Sequence, residues 1–297
     1  MNKNEGEHMK ILITGAAGQL GKDLQKLFDK MGIEYIATDF VEGYAKLDIS
    51  SLKELRECVR KERPSVIINC AAYNAVDKAE QDWRNAYIIN GLAVRNLAIC
   101  ANEVGAFLVH YSTNYVFDGE KGEPYTIYDT PNPISKYGES KYLGEKLLQA
   151  FGEEYALIRT SWVFGTGNTN FVYKIIQMAQ KSDKLSLVTD EIASPTYTVD
   201  LALATIRIVE ERACGIYHVA NEGVCSRYEF GKYVLEKMDW KGQLETSKQE
   251  DFNLPAKRPK HAKLDNFGLK ESIDFEMPDW HDAVDRFFDE LKKLGVI

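Results

Sequence analysis

A chain of 297 residues with 44% apolar side chains carries enough hydrophobic material for one large core or two modest ones. Its net charge of −8 argues against nucleic acid or an anionic membrane as a general partner, so a polyphosphate ligand must be held by local dipoles and a few well-placed cations. Five scattered cysteines, Cys58, Cys70, Cys100, Cys214 and Cys225, form no CxxC or Cys/His cluster and read as small core residues in a reducing compartment, and no apolar run of about 18 residues is present to span a bilayer.

Residues 1–8 are polar, lack a signal-peptide core, and are expected to be a loose extension before Met9, which resembles an alternative start. The expected location is cytoplasmic. Lys10 to Gly15 reads as a short apolar strand entering Gly15-Ala-Ala-Gly18-Gln19-Leu20-Gly21, followed by an amphipathic stretch from Lys22 to Lys30. Strand, glycine turn and helix form the dinucleotide-binding context: the turn lets a pyrophosphate approach the backbone, and its charge meets the amides of the helix N-terminus. The spacing GxxGxxG, not GxGxxG, points to the short-chain dehydrogenase branch.

Glu34 to Asp39 reads as a second strand ending in an acid 18 residues beyond Gly21. That is where a carboxylate accepts hydrogen bonds from an adenosine ribose diol and repels a 2′-phosphate, which favours NADH over NADPH. Asp48 or Ser50 is placed to cap a helix over Ser51 to Arg63, which Pro64 closes. Val66 to Ala72 is a continuous apolar run expected of a central parallel strand buried on both faces. A long helix over Trp83 to Gly105 and a strand over Ala106 to Thr113 continue the alternation.

Tyr137-Gly-Glu-Ser-Lys141 follows a Pro-rich turn and, if helical, presents a phenol and an ammonium on one face. A lysine held there stabilises a tyrosinate and brings a phenol with a free pKa of about 10 within range of proton transfer to a carbonyl. Alone, such a pair is more often a surface pair. Here it stands in one chain with the glycine turn and the acid.

Further on, Tyr155 to Phe164 is strand-like, Phe171 to Lys181 helical, and Ser194-Pro, Leu254-Pro and Arg258-Pro punctuate loops. Strands alternating with helices imply an α/β, Rossmann-type doubly wound parallel sheet. We assign residues 9–165 to the nucleotide-binding domain and 166–297 mainly to a smaller C-terminal substrate-binding lobe, with some segments returning to the first domain.

Asn69 to Glu80, His110 to Phe117, Arg159 to Phe164 and Lys257-Arg258-Pro259 together resemble, in order and over the chain from Lys10, the extended short-chain dehydrogenase/reductase family and within it the dTDP-4-dehydrorhamnose reductases. The resemblance implies a cytoplasmic NAD(P)H-dependent oxidoreductase of nucleotide-sugar biosynthesis that reduces the C4 ketone of a dTDP-sugar. Tyr137 is then the proton donor, Lys141 holds the nicotinamide ribose and lowers the tyrosine pKa, and Thr113 orients the ketone. Gly15, Gly18, Gln19, Leu20, Gly21, Asp39, Asp48, Ile49, Ala71, Ala72 and Tyr73 fall where the family contacts the cofactor. Thr113, Asn114, Trp162 and Arg258 fall where it contacts the substrate.

Several roles stay open on the residues alone. Trp162 is a core tryptophan or a sugar-nucleotide contact, Arg258 a diphosphate partner or a solvated loop residue, and Asn90 a water-positioning group or a packing residue. Asp77 and Glu80 read as caps of the long helix. The reductase pattern usually has Asp where Asn114 stands, which removes a charge beside Thr113. The Mg2+ of some members is not carried over, because no compact carboxylate cluster demands it. Two rival functions remain: a sugar-nucleotide epimerase or dehydratase, against which the absence of Asp-Glu after Thr113 counts, and a non-catalytic NAD(P)-binding regulatory subunit, against which Tyr137, Lys141 and Thr113 count. The oligomeric state is open between monomer and homodimer.

Overall fold

The computed structural model describes residues 9–167 and 169–296; the extension expected at 1–8 lies outside them. Strand β1 (Lys10–Thr14) leads through the glycine turn into α1 (Gln19–Met31), β2 (Glu34–Asp39) and a two-residue β3 (Ala45–Lys46). Then come α2 (Leu52–Glu62), β4 (Val66–Asn69), the short α3 (Val76–Ala79) and α4 (Trp83–Tyr87), α5 (Ala93–Val104) and β5 (Phe107–Thr113). Helix α6 (Lys136–Phe151) and β6 (Tyr155–Thr160) follow, with β7 (Val163–Phe164), α7 (Phe171–Ala179), β8 (Lys184–Val188), β9 (Ile192–Ala193) and β10 (Thr196–Tyr197) behind them. The chain ends through α8 (Thr198–Glu210), β11 (Gly215–His218), β12 (Cys225–Ser226), α9 (Arg227–Lys237), β13 (Gln243–Ser247), α10 (Leu269–Ile273) and α11 (Trp280–Lys293).

Seven parallel strands form one sheet in the order β11-β6-β5-β4-β1-β2-β3. Because the chain runs outward from β1 to β3 and returns to β4 on the other side of β1, the loops after β1 and β4 diverge and leave a crevice at the sheet's C-terminal edge. β1 and β4 are buried on both faces, as their apolar runs require. One face packs α1, α8 and α10 through Leu24, Phe28, Leu201 and Leu269, and the other packs α2, α5 and α6 through Leu55, Leu97 and Leu148. A separate core joins α7, β8, α9 and α11 around Phe164, Phe230 and Phe287. Residues after 166 therefore supply both this smaller lobe and, through α8, β11 and α10, part of the layers around the seven-stranded sheet.

Five local expectations are corrected. The strand expected to run to Phe164 stops at Thr160, because Ser161 donates to the Ser194 carbonyl (2.6 Å) and Trp162 turns the chain at φ 45° before β7 begins in the lobe. The strand expected to reach Ala72 stops at Asn69, whose Oδ1 accepts from the Ala71 amide (3.2 Å) and holds the chain off the sheet. The long helix from Trp83 is interrupted by a π-turn over Ile88–Leu92. The α2 cap is Ser51, whose hydroxyl accepts from Glu54 N; Asp48 instead accepts from the Ser50 amide and hydroxyl at 2.8 and 2.7 Å. Cys214 is exposed, so it is no core residue. No helix among the described residues is long and apolar enough to cross a membrane, and none of their His, Cys, Asp and Glu groups is arranged to hold a metal ion.

Candidate active site

A cavity of about 360 Å³ opens at the crevice, reaching from the glycine turn past the ends of β4 and β5 to the lobe. Thr113, Tyr137 and Lys141 share its wall. Thr113 ends β5, and Ser135 caps α6 by accepting from Gly138 N at 3.2 Å, which starts the helix just before Tyr137. A β-carbon at Gly138 would lie 2.3 Å from the Tyr115 carbonyl, so glycine there lets the first turn of α6 close on the chain just after Thr113. The Tyr137 ring meets Tyr115 edge-on at 5.6 Å.

Burial governs the charges of this wall. It pushes the Tyr137 phenol up to about 12, with a hydrogen bond from Thr113 pulling the other way. It brings Lys141 down to about 8, opposed by the charge of Glu145 one turn further along α6. The Lys141 ammonium donates to the Tyr111 carbonyl at 2.6 Å. The expected lowering of the tyrosine by the lysine is thus not found: burial outweighs it, and the lysine is turned to the strand backbone. Behind Lys141, Glu145 takes a bidentate contact from Arg159 (3.0 and 2.8 Å) and a bond from Ser112, all three side chains being buried.

At the other end, Gly15 has φ 68°, and a β-carbon there would lie 2.4 Å from Ala71 N. Any side chain would fill the gap between the turn and the end of β4. Gly18, Gln19, Leu20 and Gly21 line the cavity at the N-terminus of α1, whose first turn has no acidic residue. Asp39 accepts from the amides of Ala17 (2.9 Å), Phe40 (2.6 Å) and Val41 (3.3 Å), so it fixes the glycine turn as well as standing at the end of β2. Ala71 and Ala72 line the cavity. These features fit a dinucleotide: a helix N-terminus with no side-chain cap, a close-approach turn and an acid on the next strand.

Other expected contacts lie differently. Ile49 is buried in the core under α2 and α5, and neither it nor Asp48 lines the cavity. Tyr73 turns away to bond Asp82 at 3.0 Å, while Asn90 grips its backbone at both N (2.8 Å) and O (3.0 Å) and also donates to Ser140 (2.9 Å). Asn90 is therefore a clamp between the β4 loop and α6, its side chain fully engaged. Asp77 does not cap the long helix; it binds Arg258 through both oxygens (3.1 and 2.7 Å). Glu80 accepts from Lys136 N at 2.8 Å and caps α6 instead.

On the substrate side, Asn114 donates to the Ala262 carbonyl at 3.1 Å, tying the end of β5 to the C-terminal segment. A carboxylate has no hydrogen to donate there, which gives the departure from Asp a local reason. Trp162 lines the cavity, whereas Arg258 does not. Sequence reasoning missed Arg227, which also lines it, with its guanidinium 3.7 Å above the Trp162 ring centroid. The Ser226-x-x-Glu229 spacing marks the start of α9, yet nothing in it shows which way Arg227 points.

Comparison with known proteins places this geometry among close relatives. Residues 9–293 match the family described as the RmlD substrate binding domain. A dTDP-4-dehydrorhamnose reductase from Clostridium acetobutylicum superposes with a TM-score of 0.91 at 38% identity, covering 96% of this chain and 100% of its own. The dTDP-4-dehydrorhamnose reductase of Bacillus anthracis, solved in complex with NADP, gives a TM-score of 0.91 at 37% identity over 95% and 99% of the two chains. The spore coat polysaccharide biosynthesis protein SpsK of Bacillus subtilis is 35% identical over 281 residues, 95% of this chain and 97% of SpsK.

Proposed function

Because the chain belongs to the family of the RmlD substrate binding domain, we propose that it is an NAD(P)H-dependent reductase converting dTDP-4-dehydro-L-rhamnose to dTDP-L-rhamnose. The observation that carries this reading is the single cavity wall on which Thr113, Tyr137 and Lys141 stand beside a glycine turn shaped for a dinucleotide. When bound, the dinucleotide supplies a hydride to the ketone carbon.

Tyr137 gives its proton to the ketone oxygen. Burial keeps the phenol protonated before reaction, and an alkoxide is the stronger base, so a raised phenol pKa loads the acid without blocking transfer. Thr113, at the end of β5 on the same cavity wall, orients the oxygen. Lys141 holds the ribose beside the reacting centre, its ammonium fixed by the Tyr111 carbonyl. Trp162 and Asn114 shape the sugar end, and Gly15, Gly18, Gln19, Leu20, Gly21, Asp39, Ala71 and Ala72 receive the cofactor.

Asp39 favours NADH: a 2′-phosphate near its carboxylate costs on the order of 1 kcal/mol, about fivefold. The Bacillus anthracis relative was solved with NADP, so the preference is one of degree. Steady-state kinetics should give NADH the higher kcat/KM, and NADPH in the lead would refute the role of Asp39. The reaction itself is tested by following NADH oxidation with dTDP-4-dehydro-L-rhamnose and with the free 4-keto sugar. Turnover of the nucleotide sugar and little of the free sugar is expected, because remote binding energy positions the carbonyl; equal rates for both would contradict it.

A further inference from the structure

We propose that Arg227, not Arg258, is the cation that holds the diphosphate of the sugar nucleotide, an assignment that rests on the reductase reading above. In a chain of net charge −8, the only charged side chains lining the cavity among the described residues are Lys141 and Arg227, and no carboxylate lines it. Lys141 stands at the catalytic end, bonded to the Tyr111 carbonyl at 2.6 Å. Arg227 is the cation on the lobe wall.

Its guanidinium is held before any ligand arrives. Glu191, buried, accepts from Arg227 Nε at 3.0 Å through an oxygen that also stands 3.0 Å from Nη2, and its carbonyl accepts from the Arg227 amide at 3.1 Å. The planar group lies 3.7 Å over the Trp162 ring and 4.8 Å over Phe171. The Nε edge is thus spent on Glu191, while the opposite edge, formed by Nη1 and the second Nη2 hydrogen, has no partner among the described residues. Two parallel N–H groups on that edge match two phosphate oxygens, and little side-chain entropy is left to lose. Arg258 is placed otherwise: both its Nη atoms bind Asp77, Nη1 also donates to the Ala256 carbonyl (2.8 Å), and it stands outside the cavity lining. A diphosphate would have to break that pair to use it.

Titration calorimetry of the whole protein with dTDP and with thymidine separates the possibilities, since only dTDP carries the diphosphate. Wild type should bind dTDP far more tightly than thymidine. Arg227→Met should weaken dTDP roughly 10- to 100-fold and leave thymidine within about twofold, as loss of a charge-assisted contact predicts. Arg258→Met should keep the wild-type ratio. Arg227→Lys, which keeps the charge without the fork or the stack, should lose part of the ratio and serves if the methionine variant does not fold. An unchanged ratio in the Arg227 variants, or its collapse in Arg258→Met, overturns the assignment. Wild-type protein that binds no dTDP overturns the reductase reading along with it.

Discussion

The two walls of the cavity are built by different means. On the β5–α6 wall, Tyr137, Lys141 and Glu145 follow one helix stripe at four-residue spacing, and Glu145 is locked by Ser112 and Arg159 at 2.5 to 3.0 Å. On the lobe wall, Trp162 and Arg227 come from separate segments and meet through a ring stack and a backbone turn at φ 45°. On the proposed reading chemistry rests on local periodicity and recognition on long-range assembly, so substitutions on the first wall should reduce kcat or stability and those on the second should alter affinity.

The largest effect expected on the first wall is that of Tyr137→Phe, which removes the proposed proton donor and fits the same space. Its kcat should fall about 10²- to 10⁴-fold with KM little changed. Retention of more than roughly a tenth of wild-type kcat, with chemistry rate-limiting, would identify another acid.

Next in size is Glu145→Gln, which leaves the buried Arg159 without its counter-charge. Denaturant unfolding should show a loss of about 3–5 kcal/mol. A loss below about 1 kcal/mol would mean that the pair is dispensable and the wall less rigid than its contacts suggest.

The pH profile sharpens the contrast further. Lys141, brought down to about 8, is charged below that pH and neutral above it, while Tyr137, at about 12, stays protonated throughout. Activity that needs the lysine charge should therefore fall above pH 8, toward a tenth about one unit further on. Because Glu145 raises the lysine, its removal should move this alkaline limb to lower pH in whatever fraction folds. A kcat/KM flat to pH 10 would show that the lysine charge is not used.

What the sequence made legible follows the same division. The glycine turn, Asp39 and the Tyr137/Lys141 pair are recorded in spacings of a few residues, so β1, α1, β2 and α6 and their sides of the cavity could be read directly. Asp77 and Arg258, 181 residues apart, bind each other, and no local pattern announces that pairing. The π-turn at Asn90 was hidden because its cause is tertiary: the side chain clamps Tyr73 across the β4 loop. Arg227 was missed for the same reason, since only the folded lobe lays it over Trp162. The lysine's expected effect on the tyrosine failed because burial cannot be read from spacing.

The most direct test of the reductase account follows the hydride itself. With NADH carrying deuterium at the transferred position and dTDP-4-dehydro-L-rhamnose as substrate, one deuterium should appear at C4 of dTDP-L-rhamnose for each NADH oxidised. Protein that retains stoichiometric NAD⁺, interconverts sugar-nucleotide epimers and transfers no label to product would contradict it and establish an epimerase.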